Sequence, residues 1–109
     1  MLKKIVVSLV FFACTAQVSA NQFSQFGEVT ESYTASGWTM VKLSGNQVNP
    51  DGCPKNHYYA INRGAANYEA FLSSILAAQV AKKTVRFWIG GGCAGQNGEY
   101  PKIQSIQIK

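Results

Sequence analysis

Alternating apolar and polar residues predict five short strands after residue 20. In the first, from Gly27 to Tyr33, the alternation places Val29 and Tyr33 on one face and Glu28 on the other. The four later strands are predicted at Trp38 to Leu43, His57 to Ile61, Val85 to Ile89 and Ile103 to Ile108. The apolar residues of the last strand change phase between positions 103 and 106, which predicts a β-bulge near Gln104 and Ser105.

One helix is predicted between the third and fourth strands. Its apolar stripe follows i, i+3, i+4 spacing and consists of Tyr68, Phe71, Leu72, Ile75, Leu76 and Gln79. We expect Asn67 to cap the start of the helix. Lys82 and Lys83 are expected to close its last turn, where the helix dipole favours positive charge.

The order of these elements is three strands, a helix and two strands. That is the order of the five-stranded OB-fold, a small β-barrel whose helix lies between strands three and four. The alternative is a small α+β sheet with the helix packed on one face. The run Gly90-Gly91-Gly92 is expected to end the fourth strand, with a loop from Ala94 to Pro101.

The first twenty residues have the layout of a secretory signal peptide. A cationic start at Lys3 and Lys4 precedes an apolar run, and Val18-Ser19-Ala20 supplies small residues for cleavage before Asn21. The run of about twelve apolar residues is too short for a membrane span, which needs roughly twenty. Lipid modification of Cys14 is the alternative, but bulky Phe11 and Phe12 fit that kind of signal poorly. The sequence therefore predicts a signal peptide at 1–20, a single domain at 21–109, and a periplasmic or secreted protein.

Composition and charge narrow the possible partners. The chain has 109 residues, of which 47% are hydrophobic and 14% are charged, too apolar for a disordered protein. Its formal net charge is +5, and removal of Lys3 and Lys4 with the signal peptide lowers this to +3. Because the longest basic run is Lys82-Lys83, the charge does not predict a nucleic-acid partner.

Two cysteines remain after residue 20. Cys53 and Cys93 are predicted to form a disulfide, because an even number of cysteines in a small exported domain is typical of such a bridge. Closing a loop of about forty residues would stabilise the domain by roughly 4 kcal/mol in the chain-entropy model. Two cysteines and one histidine are too few for a structural zinc site.

The sequence contains little that predicts catalysis. The one histidine, His57, lies beside two tyrosines on a predicted strand, where a structural or surface role is more common. The three glycines are not followed by a helix, as a phosphate-binding loop requires. We therefore expect no cofactor and no enzyme, with a small hydrolase that uses His57 as the less favoured alternative.

Aromatic residues give the more informative pattern. Trp38, Tyr58 and Trp88 fall on strand faces predicted to point outward, and Asn97 and Tyr100 lie in the predicted last loop. Exposed aromatic and amide side chains favour an exported binding module for a glycan or a protein. The same residues would also serve a contact between identical subunits, and they would be unavailable if the helix or loops cover them. A periplasmic or secreted inhibitor, or another partner protein of an enzyme, is the second hypothesis.

A short signal peptide, one disulfide, three strands, the helix from Asn67 to Lys83 and two closing strands resemble small secreted proteins of Gram-negative bacteria. In this layout the chain is similar to the receptor-binding B subunits of bacterial A–B toxins. The resemblance covers nearly all of residues 21–109 as architecture, without a diagnostic motif. It implies ring assembly and glycan binding, and it assigns neither property to a particular residue.

Overall fold

The computed structural model describes residues 21–109, so the predicted signal peptide and Cys14 lie outside the described residues. The described part contains six strands, one α-helix and a short 3₁₀ turn at Gln96–Gly98. The strands are β1 (Gln22–Phe23), β2 (Gly27–Thr34), β3 (Trp38–Leu43), β4 (Tyr59–Asn62), β5 (Thr84–Ala94) and β6 (Tyr100–Ile108), and the helix is α1 (Tyr68–Ala81). The two-residue strand β1 is too short to leave a periodic pattern and is absent from the sequence prediction.

Five of the strands form a closed ring in the order β2-β3-β4-β6-β5. Most neighbours are antiparallel, and a parallel pairing of Ala60 with Lys102 joins β4 to β6. The predicted OB-like order is therefore confirmed, and the closed ring is observed instead of the alternative, a small α+β sheet with the helix packed on one face. The ring is uneven, because β2 meets β5 only at Gly27 and Glu28.

The core fills the ring and extends onto the helix. Tyr59, Phe71 and Phe87 lie at its centre, with the Phe87 ring centroid 5.5 Å from that of Tyr59 and 5.6 Å from that of Phe71. All three side chains are almost completely buried, and burial of one such ring stabilises a fold by about 1.5–3 kcal/mol. The alternation predicted for β5 is confirmed, since Val85, Phe87 and Ile89 point inward.

The helix buries a slightly different face from the one predicted. Its buried residues are Tyr68, Phe71, Ile75 and Ala78, whereas Leu76 is 63% exposed. At 100° per residue, Leu76 lies about 120° from the centre of that face. The predicted burial of Leu76 is therefore wrong, and the small Ala78 side chain takes the place against the sheet.

Both helix ends also differ from the prediction. Asn67 occupies the N-cap position, but its side chain makes no cap hydrogen bond and instead donates to the Gln104 carbonyl oxygen on β6 at 3.1 Å. Lys82 is the left-handed C-cap residue and Lys83 lies beyond it, so the last turn contains no basic residue. Near the other end of the helix, the Ser32 hydroxyl of β2 bonds to the Gln79 side-chain oxygen at 2.9 Å. The polar side chains therefore tie the helix to β6 and β2.

Strand β2 contains a bulge that changes which residues face outward. Val29 pairs with Leu43, yet Glu31 pairs with Lys42, so Thr30 is the extra residue. The alternation is reversed after the bulge, and Tyr33 becomes 42% exposed opposite Met40 on the outer face. The predicted shared face of Val29 and Tyr33 is therefore wrong.

The three glycines do not end the fourth strand. Gly91 and Gly92 adopt φ values of +81° and +105°, and the β5–β6 register shifts across them before pairing resumes at Cys93. The hairpin is consequently longer than predicted: β5 reaches Ala94 and β6 already begins at Tyr100. The predicted loop from Ala94 to Pro101 is reduced to a tight turn, while the bulge predicted near Gln104 is confirmed by the register.

The predicted disulfide is present. Cys53 and Cys93 are bonded with their Cα atoms 5.8 Å apart, which ties the loop before β4 to the β5–β6 hairpin. Asn49 orders the loop by bonding to both the backbone N–H and the carbonyl of Cys53, at 2.8 and 2.9 Å. Asp51 accepts a hydrogen bond from the Gly92 backbone N–H at 3.0 Å. The loop also displaces the predicted start of the third strand from His57 to Tyr59.

Candidate functional site

Three of the five predicted ligand-binding residues lie together on the outside of the ring. Trp38 and Tyr58 pack against a small cluster of buried residues that includes Tyr100. Asn97 is close to Tyr100 in the sequence and lies in the exposed turn that precedes β6. Trp88 lies elsewhere, where β1 pairs with β5, and its aromatic contact is Phe23.

The β5–β6 hairpin covers part of this outer face. The chain at Gly95 lies so close to β3 and β4 that an added Cβ would be 2.7 Å from the Ala60 Cβ and 2.8 Å from the Met40 Sδ. The Gly95 backbone N–H donates to the Asn62 side-chain oxygen at 3.0 Å. As a result Tyr100 is only 5% exposed. Tyr100 therefore packs within the domain, and its ring presents little surface area to a ligand.

The uncovered part of the face carries polar aromatic residues. We call it the tyrosine face and define it as Glu31, Tyr33, Lys42, His57 and Tyr58. The Tyr58 ring lies at its centre, with ring-centroid distances of 5.6 Å to Tyr33 and 5.2 Å to His57. The Tyr33–Tyr58 planes meet at 87°, an edge-to-face arrangement that aromatic pairs prefer.

Charged groups flank Tyr58 on both sides. Its hydroxyl donates a hydrogen bond to a Glu31 carboxylate oxygen. That bond, together with burial and the nearby negative charge, raises the pKa of Tyr58 to about 12. Lys42 places its Nζ atom 5.6 Å from the centroid of the Tyr58 ring. The face therefore offers a carboxylate, an ammonium and a phenol beside an exposed ring.

His57 is an exposed member of the same face. Its ring centroid is 5.2 Å from that of Tyr100, and its Nε2 atom lies 3.4 Å from the Tyr100 hydroxyl. Among residues 21–109 no carboxylate bonds to the imidazole. The geometry thus places His57 at the edge of the tyrosine face, in contact with the rings of Tyr58 and Tyr100.

Asn97 is held in a rigid turn beside this region. It has φ of +57°, within the 3₁₀ turn Gln96–Gly98. Lys55 contacts the end of the turn in two ways. Its Nζ lies 3.4 Å from Glu99 Oε1, and its backbone N–H donates to the Glu99 carbonyl at 2.9 Å. The turn therefore presents Asn97 to solvent on an ordered backbone.

Trp88 belongs to a second surface, which we call the aromatic–cationic surface and define as Phe23, Phe26, Arg86, Trp88 and Lys109. The Phe23 and Trp88 rings make an edge contact with centroids 4.6 Å apart. The Arg86 guanidinium carbon lies 3.8 Å from the Phe23 centroid and 4.8 Å from that of Phe26. Lys109 Nζ lies 5.2 Å from the Phe26 centroid.

Several residues of the two surfaces escaped the sequence prediction. Tyr33 reaches the tyrosine face because of the bulge at Thr30. Phe23 joins Trp88 through the short pairing of β1 with β5, which has no periodic signal. The outward position of Arg86 was the one available clue, because it alternates with buried Val85 and Phe87.

Three cavities lie along the boundary between α1 and its neighbours, and none includes a residue of either surface. In residues 21–109, His, Cys, Asp and Glu side chains nowhere gather in threes as a metal site requires. No helix within this range is long and apolar enough to cross a membrane. Comparisons of the chain with protein-family models, with curated protein sequences and with solved structures found no match.

Proposed function

We propose that residues 21–109 form an exported carbohydrate-binding module and that the tyrosine face is its ligand surface. The observation behind this proposal is the exposed Tyr33 ring, 42% accessible, beside the Glu31, Lys42 and Tyr58 polar groups. Sugar rings present apolar C–H faces and a rim of hydroxyls. An aromatic platform with a few directed polar groups is complementary to both parts.

The position of the face within the fold supports this assignment. OB-folds bind oligonucleotides and oligosaccharides on the face of their second and third strands, next to the loops between strands one and two and between four and five. Those strands correspond to β3 and β4 here, and the turn at Gln96–Gly98 lies between the last two strands of the ring. The tyrosine face lies beside that position: Lys42 is on β3 and Tyr58 directly precedes β4, while Tyr33 is on the neighbouring strand β2. With a net charge of only +3 on residues 21–109, a sugar is a better partner than a polyanionic nucleic acid.

Export is supported by two independent features of the chain. The disulfide between Cys53 and Cys93 suits an oxidising compartment. The pattern of residues 1–20 is that of a cleaved signal peptide. Together they favour the periplasm or the extracellular space.

The second candidate function is that of a protein inhibitor or partner of an enzyme. The braced turn at Gln96–Gly98 favours it, because a rigid exposed loop loses little conformational entropy when it binds. Asn97 would then be the central contact. The substitution Asn97→Ala separates the two functions, since it should weaken a protein complex and leave sugar binding at the tyrosine face unchanged.

The test is an array of neutral and acidic oligosaccharides probed with the purified exported protein and with three variants. Tyr33→Ala should abolish binding, and Tyr58→Phe should weaken it, because the ring stays while the hydroxyl is lost. Val80→Ala is the matched control, since Val80 is an exposed apolar residue of α1 outside both surfaces. Binding that survives Tyr33→Ala unchanged would remove the tyrosine face as the site.

A further inference from the structure

The aromatic–cationic surface contains two partly exposed phenylalanine side chains. Phe23 is 41% exposed and Phe26 is 36% exposed. Both lie in the segment that leads into β2, outside the hydrophobic core. The guanidinium of Arg86 lies over both rings, and the Phe23 ring also contacts Trp88. The fold therefore holds two aromatic side chains at the surface without enclosing them.

Within residues 21–109, neither cation of this surface forms an ion pair within 4 Å. Among residues 21–109 the ion pair within 4 Å is Lys55–Glu99, so neither Arg86 nor Lys109 is neutralised there. The Arg86 Nε–H donates to the Gln107 side-chain oxygen at 2.9 Å, which orients the guanidinium and leaves its terminal N–H groups for another acceptor. The Lys109 backbone N–H donates to the Thr84 carbonyl at 2.9 Å and places that lysine at the same edge. The surface is thus an ordered arrangement of aromatic rings and free positive charge.

The shape of the region points to an extended partner. Three cavities along α1 and its neighbours are lined by other side chains. Exposed aromatic rings next to lysine and arginine match the boundary between the headgroups and acyl chains of a bilayer. Anionic headgroups there attract cations, while aromatic rings remain at the interface.

We propose that the aromatic–cationic surface docks the protein onto membranes that contain anionic phospholipid. Phe23 and Phe26 enter the interface, and Arg86 and Lys109 bind headgroup phosphates. This interaction is separate from the proposed carbohydrate site, because the tyrosine face shares no residue with this surface. The two proposals can therefore be tested independently.

The experiment is co-sedimentation of the purified protein with vesicles of phosphatidylcholine, either alone or mixed with phosphatidylglycerol. Binding is expected only to the mixed vesicles and should fall as salt is added. The double variant Phe23→Ser/Phe26→Ser should lower partitioning about tenfold. Leu76→Ser is the matched control, because it removes an exposed apolar side chain from α1 and should leave vesicle binding unchanged. Tyr33→Ala should also bind vesicles normally, which keeps this test distinct from the sugar test.

A second variant and a second readout protect the test against misfolding. Arg86→Gln/Lys109→Gln keeps both phenylalanines and should also weaken binding to the mixed vesicles. In a Trp38→Phe background, Trp88 is the remaining tryptophan of the two in the chain. Its emission should shift to shorter wavelength on mixed vesicles, because the Trp88 ring contacts Phe23. Equal binding to neutral and mixed vesicles would overturn the proposal. So would displacement of the protein from mixed vesicles by a soluble acidic oligosaccharide, which would reassign the surface to a sugar ligand.

Discussion

The Tyr58 hydroxyl donates a hydrogen bond to the Glu31 carboxylate across the outer face of the ring. Glu31 belongs to β2 and is paired with Lys42 of β3, while Tyr58 directly precedes β4. The bond therefore links three successive strands of the ring. It also holds the Tyr58 ring against Tyr33, in the geometry on which the proposed sugar site depends.

Glu31→Gln should lower the pKa of Tyr58. The Glu31 carboxylate accepts a hydrogen bond from the neutral Tyr58 hydroxyl and would repel the charged phenolate. Glu31 is therefore the main cause of the rise in the pKa of Tyr58 to about 12. With a neutral amide in its place, the pKa should fall toward the ordinary value of 10.0. Absorbance at alkaline pH measures this as the difference between the titrations of the two proteins. Tyr58→Phe is the control, because it removes the titration step that Glu31→Gln is expected to shift; identical titrations of the wild type and Glu31→Gln would contradict the prediction.

The same interaction predicts a loss of stability at alkaline pH. Because the pKa of Tyr58 is higher in the folded chain than in the unfolded one, the folded state holds the proton more tightly. The stabilisation is fully present below pH 10.0 and is lost as the pH rises toward about 12. Urea unfolding at several pH values should show a steeper decline for the wild type than for Tyr58→Phe over that window. Parallel declines would show that the bond does not contribute.

Gly95→Ala should destabilise the domain strongly. Gly95 has φ of +81°, and its added Cβ would meet the Ala60 Cβ at 2.7 Å. Its ψ of −153° places it in a backbone region that is essentially restricted to glycine, which costs another residue about 1–3 kcal/mol, and the overpacking adds roughly 1–3 kcal/mol. Gly98→Ala is the matched control, because Gly98 has φ of +63° but nothing within 4 Å of an added Cβ. In urea unfolding, Gly95→Ala should have a much lower free energy of unfolding than Gly98→Ala. Equal losses of stability would mean that the hairpin tip is not packed tightly against β3 and β4.

Replacement of both cysteines by serine should lower the free energy of unfolding by about 4 kcal/mol, since the bridge closes a loop with a sequence separation of 40. The physical reason is the larger conformational entropy of the unfolded chain without the bridge. Urea unfolding of the oxidised wild type and of Cys53→Ser/Cys93→Ser measures the difference. Reduced wild type is the control and should match the double variant. A difference below about 1 kcal/mol would indicate that the Asn49 and Asp51 hydrogen bonds hold the loop unaided.

Two neighbouring substitutions test which face of the helix is buried. Ile75→Ala should cost about 2–5 kcal/mol, because Ile75 is 3% exposed and its loss leaves a cavity in the core. Leu76→Ala should change the stability by no more than about 0.5 kcal/mol. Thermal unfolding distinguishes the two variants directly. A large loss for Leu76→Ala would restore the face predicted from the sequence.

The strands and the helix were predictable because their signals are local. In β5 the inward positions of Val85, Phe87 and Ile89 follow from strict alternation over a short segment. The Cys53–Cys93 bridge followed from the count of cysteines in a small exported domain. The element order then restricted the topology to very few arrangements, of which the closed ring is one.

The candidate site was only partly predictable. Tyr58 was identified from its outward position, but Tyr33 was assigned to the wrong face because nothing in the sequence marks the bulge at Thr30. Trp38 was predicted to point outward and Tyr100 to lie in the last loop, yet Trp38 packs partly buried against the outer cluster and Tyr100 is buried at the start of β6. Trp88 was grouped with them although its aromatic contact is Phe23. Burial of an outer face depends on contacts between distant segments, which periodicity cannot report.

The sequence by itself determined the order of the helix and the five ring strands, the disulfide and the division between inward and outward positions in most strands. Each of these depends on residues that are close in the chain or on the chemistry of a residue type. Only the tertiary structure decided that Thr30 bulges, that Gly91 and Gly92 let β5 continue, and that Ala78 rather than Leu76 packs against the core. Those outcomes follow from closing an uneven ring around one core, where each strand must adjust its register to partners far away in the sequence.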